Sequence, residues 1–337
     1  MGYRTRLRAV FGLLKDKGSL IKTTLSTKRH KASARRVILR ATTHGSSAPP
    51  SDHRIDAVIA LGQSSPATAC TCIQAVMDRL HRTRNSRVAL KCLYTIHNII
   101  GKGSFILKDQ LATYPSFGGR NFINLSTFRD DSDPKASEMS AWVRWYAGML
   151  EQNLSVSRML GYHLNSPPRS KKEKIMGLSN SDLLKEIHLL INFPDHISAV
   201  PDSLYLQRES LVYEVLRLVS EDYRFVQRET FARVAELGVR VTSLGLGLSL
   251  SECIEFLSCI SRLEGCKERI SLLLVNRNRN DDFWDSIKES KANLVATVEN
   301  KEKEGNMVVI AVGDESTKFT GLTELYRLES RARWVEF

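Results

Sequence analysis

The chain has 337 residues, of which 42% are hydrophobic and 26% are charged, and its formal net charge is +12. This hydrophobic content is enough for one large core or two modest ones, so the composition excludes a wholly disordered protein. Prolines number only nine, and apolar residues recur every three to four positions, which predicts an all-α protein.

The positive charge is concentrated near the N-terminus. Residues 1–40 contain twelve Lys or Arg and a single acid, Asp16, so this segment carries a charge of +11 and the rest of the chain is close to neutral. A local basic patch of this kind predicts an anionic partner. The sequence has no apolar run of the ~20 residues that span a bilayer, so we expect any membrane contact to be peripheral.

The first predicted element, residues 3–17, is a cationic amphipathic helix. Such a helix can lie in a lipid headgroup layer with its apolar stripe buried, although most amphipathic helices pack on their own core. The high charge density favours the membrane interpretation. The side chains predicted to insert share one helical face and are Leu7, Val10, Phe11 and Leu14.

Residues 18–165 are predicted to form the N-terminal part of a helical stack. After a basic helical segment, Asp52 is the expected N-cap of a helix that ends at Leu61. Further helices are predicted over residues 66–82, after Ser64 or Ser65, then over 86–100 and 137–162. Short helices joined by short turns are typical of an α-solenoid.

The C-terminal half divides into three predicted segments. Residues 166–179 have the composition of a solvated linker, and helical patterns resume over residues 180–290. Residues 291–337 are expected to be a weakly ordered tail that contains a strand-like run over Val308–Val312.

Candidate chemistry is sparse along the chain. The six cysteines lie in apolar helical patterns without zinc spacing, which predicts free thiols in a reducing cytosolic compartment. Asp130 and Asp131 are expected in a solvated turn rather than a metal site. His44, Lys91 and His97 are given structural or surface roles. Without a phosphate-binding glycine loop, nucleophile elbow or zinc-protease helix, we expect no catalytic residue, no metal and no cofactor.

Four stretches together carry a family resemblance. They are Arg40-Ala-Thr-Thr-His44, the run from Leu90 to His97, the run from Asn124 to Asp131, and Trp142-Val-Arg-Trp-Tyr146. Their order and spacing resemble the ANTH domain of clathrin assembly proteins, and the segment from Ser249 to Leu263 resembles the late helices of that family. The resemblance covers roughly residues 1 to 290.

The resemblance implies a right-handed α-solenoid of stacked antiparallel helices that is cytoplasmic and peripheral on membranes. It implies an adaptor that binds phosphatidylinositol 4,5-bisphosphate and takes part in clathrin coat assembly and endocytosis. The implied partners are clathrin, adaptor proteins and a vesicle SNARE helix, at clathrin-coated pits, vesicles and the Golgi. The sequence lacks Asp-Pro-Phe, Asn-Pro-Phe and a clear clathrin box, so clathrin binding is expected to be weak or indirect.

The headgroup motif of the family is a basic residue followed, after nine others, by Lys, any residue, Lys or Arg, and His or Tyr. Arg40 matches its first position and His53 its last, but Pro50 and Asp52 stand where the lysines belong. Losing charge-assisted hydrogen bonds weakens specific headgroup binding. Neighbouring cations can still attract an anionic leaflet at roughly 1 kcal/mol each, which predicts less selective lipid binding. The expected residues are Lys28, Arg29, Lys31 and Arg36.

Two other functions fit parts of this pattern. A nucleic-acid-binding helical repeat would also carry a basic patch, but only Tyr3 and Phe11 are aromatic across residues 1–60, which leaves no stacking platform for bases. The sequence therefore predicts no nucleic-acid partner. A helical protein-interaction scaffold without lipid specificity is the second alternative.

Overall fold

The computed structural model describes residues 3–24, 29–44, 47–114, 123–242, 247–273 and 281–312. Within these ranges all regular secondary structure is α-helical, which confirms the prediction of an all-α protein. The helices are α1 (Tyr3–Thr24), α2 (Arg29–Ala41), α3 (Asp52–Gln63), α4 (Pro66–Arg82), α5 (Ser86–Lys102), α6 (Phe105–Ala112), α7 (Pro134–Leu160), α8 (Lys171–Met176), α9 (Asn180–Ser198), α10 (Leu204–Gln207), α11 (Ser210–Thr242), α12 (Leu250–Gly265), α13 (Lys267–Leu273) and α14 (Asp281–Val312).

Local capping explains where several of these helices begin. Ser65 forms a capping box with Thr68 before Pro66, as the sequence predicts for one of the two serines. Asp133 accepts a hydrogen bond from the Ala136 N–H and so begins α7. The helix predicted from Asp52 begins there, but the N-cap is Ser51, and Asp52 lies in the first turn. A carboxylate is stabilising at either position, which explains the one-residue difference.

The helices pack in sequence order around two hydrophobic clusters. The first cluster involves α2 to α7 together with α9, α10 and the N-terminal half of α11, and its largest fully buried side chain is Trp142. The second involves α8, α9, α12, α14 and the C-terminal half of α11, around Phe256. Because α9 and α11 contribute to both clusters, they join the two parts of the stack.

A buried ionic network crosses the segment that the sequence assigns to a solvated linker. Arg233 on α11 contacts Glu186 of α9 and Glu229 of its own helix. Glu229 also accepts hydrogen bonds from Tyr162 and from Lys171, both at 2.7 Å. Residues 166–179 therefore include a packed helix, α8, which the composition of this segment did not indicate.

The prediction of a weakly ordered tail from residue 291 also differs from the structure. Helix α14 runs from Asp281 to Val312, so residues 291–312 are helical, including the strand-like run Val308–Val312. Leu294 and Val298 are buried in the second cluster. Packing against α11 and α12 supplies the stability that a charged helix lacks alone. Residues 313–337 lie outside the described residues.

His97 and the cysteines have the structural environments that their sequence context indicated. His97 is buried, with Nε2 2.9 Å from Asp222 Oδ2 and Nδ1 2.9 Å from the Tyr146 hydroxyl, and so links α5, α7 and α11. All six cysteines are free thiols. Burial raises the pKa of Cys72 and Cys92 to about 12, which keeps both unreactive.

Candidate functional site

Helix α1 docks on the domain through its polar side. Asp16 is buried, and its carboxylate accepts a hydrogen bond from the His44 backbone N–H at 2.9 Å. The His44 Nδ1 lies 2.8 Å from Asp16 Oδ1, and Arg79 Nη2 donates to the same oxygen at 3.0 Å. The acid thus joins α1 to the loop after α2 and to the last turn of α4.

The charge of Asp16 is held by these contacts. Burial alone would raise the pKa of the carboxyl group, but the hydrogen bonds from His44 and the charges of His44 and Arg79 lower it further than burial raises it. Asp16 is therefore ionised at neutral pH. Asp16 is the single acid of the basic N-terminal segment, and that was the signal that could have identified it as a docking residue.

Close approach of α1 requires Gly12. A Cβ atom at this position would lie 2.7 Å from the Cβ of His44, a distance that real side chains do not adopt. Gly12 and Asp16 are four residues apart, so both lie on the side of α1 that faces the domain. Any larger residue at position 12 would move the helix away from His44.

The apolar stripe of α1 faces away from the domain. Val10, Phe11, Leu14 and Ile21 have exposed fractions of 52%, 69%, 57% and 62%. At about 100° per residue, Val10, Leu14 and Ile21 fall within about 40° of one another and nearly opposite Gly12. The side chain of Leu7 lies outside the described residues. The predicted inserting residues Val10, Phe11 and Leu14 are thus left uncovered by the described part of the domain.

Basic side chains flank this stripe on both sides. Lys15 and Lys17 are exposed, and at helical spacing they lie to opposite sides of Leu14. A helix that places its apolar residues between exposed lysines matches a headgroup layer, where the stripe enters the acyl boundary and the cations meet phosphates. Within the part of the chain that the structure describes, the stripe does not pack on the helix's own domain.

Three loops meet at the end of the stack where α1 docks, and we call this the loop end. They are the described parts of the loop after α2, residues 42–44 and 47–51, then residues 83–85, and the described part of the loop before α7, residues 123–133. Arg79 Nη2 donates to Thr42 O at 3.1 Å, and Lys91 Nζ donates to Thr43 O at 2.9 Å. The Ser86 N–H donates to Asp130 Oδ2 at 2.7 Å. Exposed or half-buried basic side chains at the loop end are Arg40, His53, Arg54, Arg82, Arg84, Arg87 and Arg129.

The residues predicted to bind the lipid headgroup lie on α2 and α3 and differ in their exposure to solvent. Arg40 in the last turn of α2 and His53 in the first turn of α3 are both exposed. Lys31 is exposed and Arg36 is half-buried on α2. Arg29 begins α2 but its side chain is not described, and Lys28 lies outside the described residues.

The structure shows that neither residue at the two altered motif positions can replace a lysine. Pro50 is buried, and Asp52 is exposed at the first position of α3. Neither residue offers a cationic donor, and the carboxylate of Asp52 repels a phosphate group. Arg40 and His53 are thus left without the two lysines that complete the motif.

Sequence reasoning missed a second set of cations at the loop end. Lys91 is buried, and its pKa is lowered to about 8, chiefly by burial and further by the charges of Arg54 and Arg87, while Asp16 opposes the shift. Arg87 and Lys91 are four residues apart on α5, which is the spacing that could have indicated a shared face. The loop end is therefore more basic than the motif alone suggests.

Asp130 and Asp133 of the loop before α7 serve internal contacts, and Asp130 is buried rather than in the solvated turn that the sequence predicts, whereas Asp131 is exposed. Asp130 accepts the Ser86 N–H, and Asp133 caps α7. Over the described ranges, no group of three or more His, Cys, Asp or Glu is arranged to hold a metal ion. Likewise, the described helices include none that is long and apolar enough to cross a membrane.

The chain resembles plant proteins along almost its whole length. It is 36% identical over 336 residues to "Putative clathrin assembly protein At4g40080" of Arabidopsis thaliana, which covers 95% of this chain and 91% of that protein. It is 29% identical over 299 residues to "Putative clathrin assembly protein At5g10410" of the same plant, covering 84% of each chain. The ANTH domain profile matches residues 34–203. The chain therefore belongs to the ANTH domain family.

Proposed function

We propose that this protein is a peripheral adaptor that binds anionic, phosphoinositide-bearing membranes and takes part in clathrin assembly in endocytosis. The clathrin part rests on the names of its relatives, which describe clathrin assembly. The membrane part rests on one observation above all, the outward apolar stripe of α1 with Lys15 on one side of it and Lys17 on the other.

The energetics of α1 favour binding at a lipid surface. Burying one large apolar side chain contributes about 1.5 to 3 kcal/mol, and the stripe offers Val10, Phe11, Leu14 and Ile21. Each basic residue near an anionic leaflet adds about 1 kcal/mol. Because α1 is already held by Asp16, little ordering of the chain opposes insertion.

Lipid selectivity at the family motif is proposed to be low. Arg40 and His53 remain as donors, whereas Pro50 and Asp52 remove two phosphate contacts. Lys31 and Arg36 on α2 provide attraction that depends on charge density rather than on headgroup shape. Binding through this motif should therefore follow the total negative charge of the membrane and fall with salt.

The individual protein partners are also proposals. Clathrin and adaptor proteins are expected to bind weakly or indirectly, at coated pits, coated vesicles and the Golgi. A vesicle SNARE helix is a further proposed partner, for which the exposed apolar side chains Phe231 and Val239 on α11 offer a surface.

Vesicle co-sedimentation of the full chain tests the membrane mechanism. We would compare phosphatidylcholine vesicles with vesicles that also contain phosphatidylserine or phosphatidylinositol 4,5-bisphosphate, at two salt concentrations and beside an RNA-binding assay. The variant Phe11→Ser/Leu14→Ser should bind anionic vesicles at least roughly tenfold more weakly than the natural chain, because two inserting side chains are lost.

Phe105→Ser is the matched control. Phe105 is 78% exposed on α6, so its substitution changes the same residue type outside α1 and should leave vesicle binding unchanged. Equal binding by the double variant and this control would contradict insertion of α1. Tight RNA binding without vesicle binding by the natural chain would overturn the membrane function altogether.

A further inference from the structure

A polar cavity lies at the loop end, between the loop before α7 and the first turns of α7. Its volume is about 390 Å³, and its lining residues include Arg129 and Arg144 together with Ser126, Thr127 and Ser137. We propose that this cavity binds the phosphorylated headgroup of an anionic lipid, with Arg129 and Arg144 as its cationic ligands. The inference rests on the proposed membrane function and adds a headgroup site outside the family motif.

The walls of the cavity are held in place before any ligand binds. Asp130 accepts the Ser86 N–H at 2.7 Å, and its own N–H donates to Ser140 Oγ at 2.9 Å. Arg144 Nη1 donates to Phe128 O at 2.8 Å. These bonds fix the loop to both α5 and α7. A preformed cavity loses less conformational entropy on binding than a mobile loop would.

The charge in the cavity is positive. Neither Arg129 nor Arg144 has a described carboxylate within 4.0 Å, and only one Arg144 nitrogen is engaged by the Phe128 carbonyl. The carboxylate of Asp130 is turned to Ser86. Asp131 is the one acid among the lining residues, against two arginines, so the formal charge of the lining is positive. Guanidinium and hydroxyl donors around one space are the chemistry that recognises phosphate esters.

The position of the cavity favours a lipid over a soluble or peptide phosphate. Ser86 contacts the loop of the cavity and Lys91 contacts the loop beside α1. These two residues are five apart on α5, a rise of only about 8 Å. The cavity therefore lies at the same end of the stack as the contacts that hold α1. A membrane bound by α1 would bring headgroups to this cavity.

The dimensions of the cavity also suit a headgroup. Small-molecule sites in proteins have volumes of about 300 to 1,000 Å³, and this cavity lies within that range. A phosphorylated inositol ring would meet Arg129 on the loop side, and Ser137 and Arg144, which share one face of α7, on the other. Headgroup preference would then arise from this cavity, and not from Arg40 and His53.

Two variants and one matched control test the inference. Arg129→Gln removes the exposed cation, and Ser137→Glu adds a negative charge to the lining. A Glu in the first turn of a helix is favourable to the helix dipole, so the second variant should fold normally. Arg158→Gln is the control, because Arg158 is exposed near the opposite end of α7 and its loss changes the net charge equally.

Two binding assays separate the sources of phosphate. Soluble inositol trisphosphate is titrated into each full chain by calorimetry, and vesicles that contain phosphatidylinositol 4,5-bisphosphate are used for co-sedimentation. We expect Arg129→Gln and Ser137→Glu to weaken both interactions roughly tenfold relative to Arg158→Gln, which is the effect of losing one charge-assisted contact.

Each other outcome overturns part or all of the inference. Equal binding by Arg129→Gln and Arg158→Gln, or no trisphosphate binding by the natural chain, removes the site. Loss of trisphosphate binding with unchanged vesicle binding means that the cavity takes a soluble phosphate ester, and the lipid assignment is wrong. Vesicle binding that depends on Phe11 and Leu14 but not on Arg129 leaves the proposed function standing without this cavity.

Discussion

The first and last described helices, α1 and α14, use their apolar residues in opposite ways. Helix α14 buries Trp284, Ile287, Leu294 and Val298 against α11 and α12. Helix α1 leaves its apolar stripe exposed and instead buries an acid, Asp16. Both helices are amphipathic and rich in charge, so their sequences alone do not explain the difference.

The difference teaches that amphipathic periodicity identifies two faces but not which face docks. Helix α14 meets apolar surfaces on two neighbouring helices, so burying its own apolar face is favourable. Helix α1 meets the backbone N–H of His44 and Nη2 of Arg79, which both donate to its carboxylate. A lone acid on a basic helix, next to a glycine one turn away, is therefore a docking signal of its own.

The largest expected effect is on the free energy of unfolding, when a buried aromatic residue of α14 is removed and the result is compared with the loss of an exposed one from α1. Trp284 is 4% exposed, and Trp284→Ala should lower the free energy of unfolding by about 3 to 5 kcal/mol, because apolar burial is lost and a cavity remains. Phe11→Ala should change it by less than about 0.5 kcal/mol. Urea unfolding of the two variants measures both values. Similar costs for the two substitutions would mean that Phe11 is packed in solution.

A smaller loss of stability is expected when Asp16, which holds α1 on the domain, is replaced. Asp16→Ala leaves Arg79 and His44 half-buried without their carboxylate, which should cost about 2 kcal/mol. The loss should be local, so amide hydrogen exchange should increase over residues 10–24 while the other helices stay protected. Asp78→Ala is the control, since Asp78 forms exposed ion pairs with Arg35 and Arg82 at 3.8 Å that contribute little. Unchanged exchange in α1 would contradict docking through Asp16.

The smallest effect concerns the buried cation beside Asp16. The pKa of Lys91 is about 8 in the folded chain and 10.5 for the unperturbed group. Between these values the unfolded chain binds the extra proton, so stability should rise with pH over this window. The natural chain should gain about 1 to 2 kcal/mol relative to Lys91→Met between pH 7.5 and 9.5. A parallel pH dependence of the two proteins in denaturant unfolding would show that Lys91 titrates normally.

The sequence by itself determined the class of the fold and much of its local structure. Helix caps such as Ser65 and Ser249 and the apolar spacing of α5 act within a few residues of the chain, so they can be recognised without neighbours. The amphipathic character of α1 and its charge are likewise visible in the residues. The headgroup motif and its departures at Pro50 and Asp52 can also be recognised in the sequence. Headgroup binding by Arg40 and His53 stays a prediction.

Only the tertiary structure decided which groups meet. Asp16 pairs with residues 28 and 63 positions away, and the cavity of Arg129 and Arg144 depends on a loop braced by Ser86. The helical state of residues 291–312 and the packing of α8 likewise depend on distant partners. Periodicity is a local property of the chain, whereas burial and charge pairing depend on surfaces that are far apart in sequence and come together only on folding.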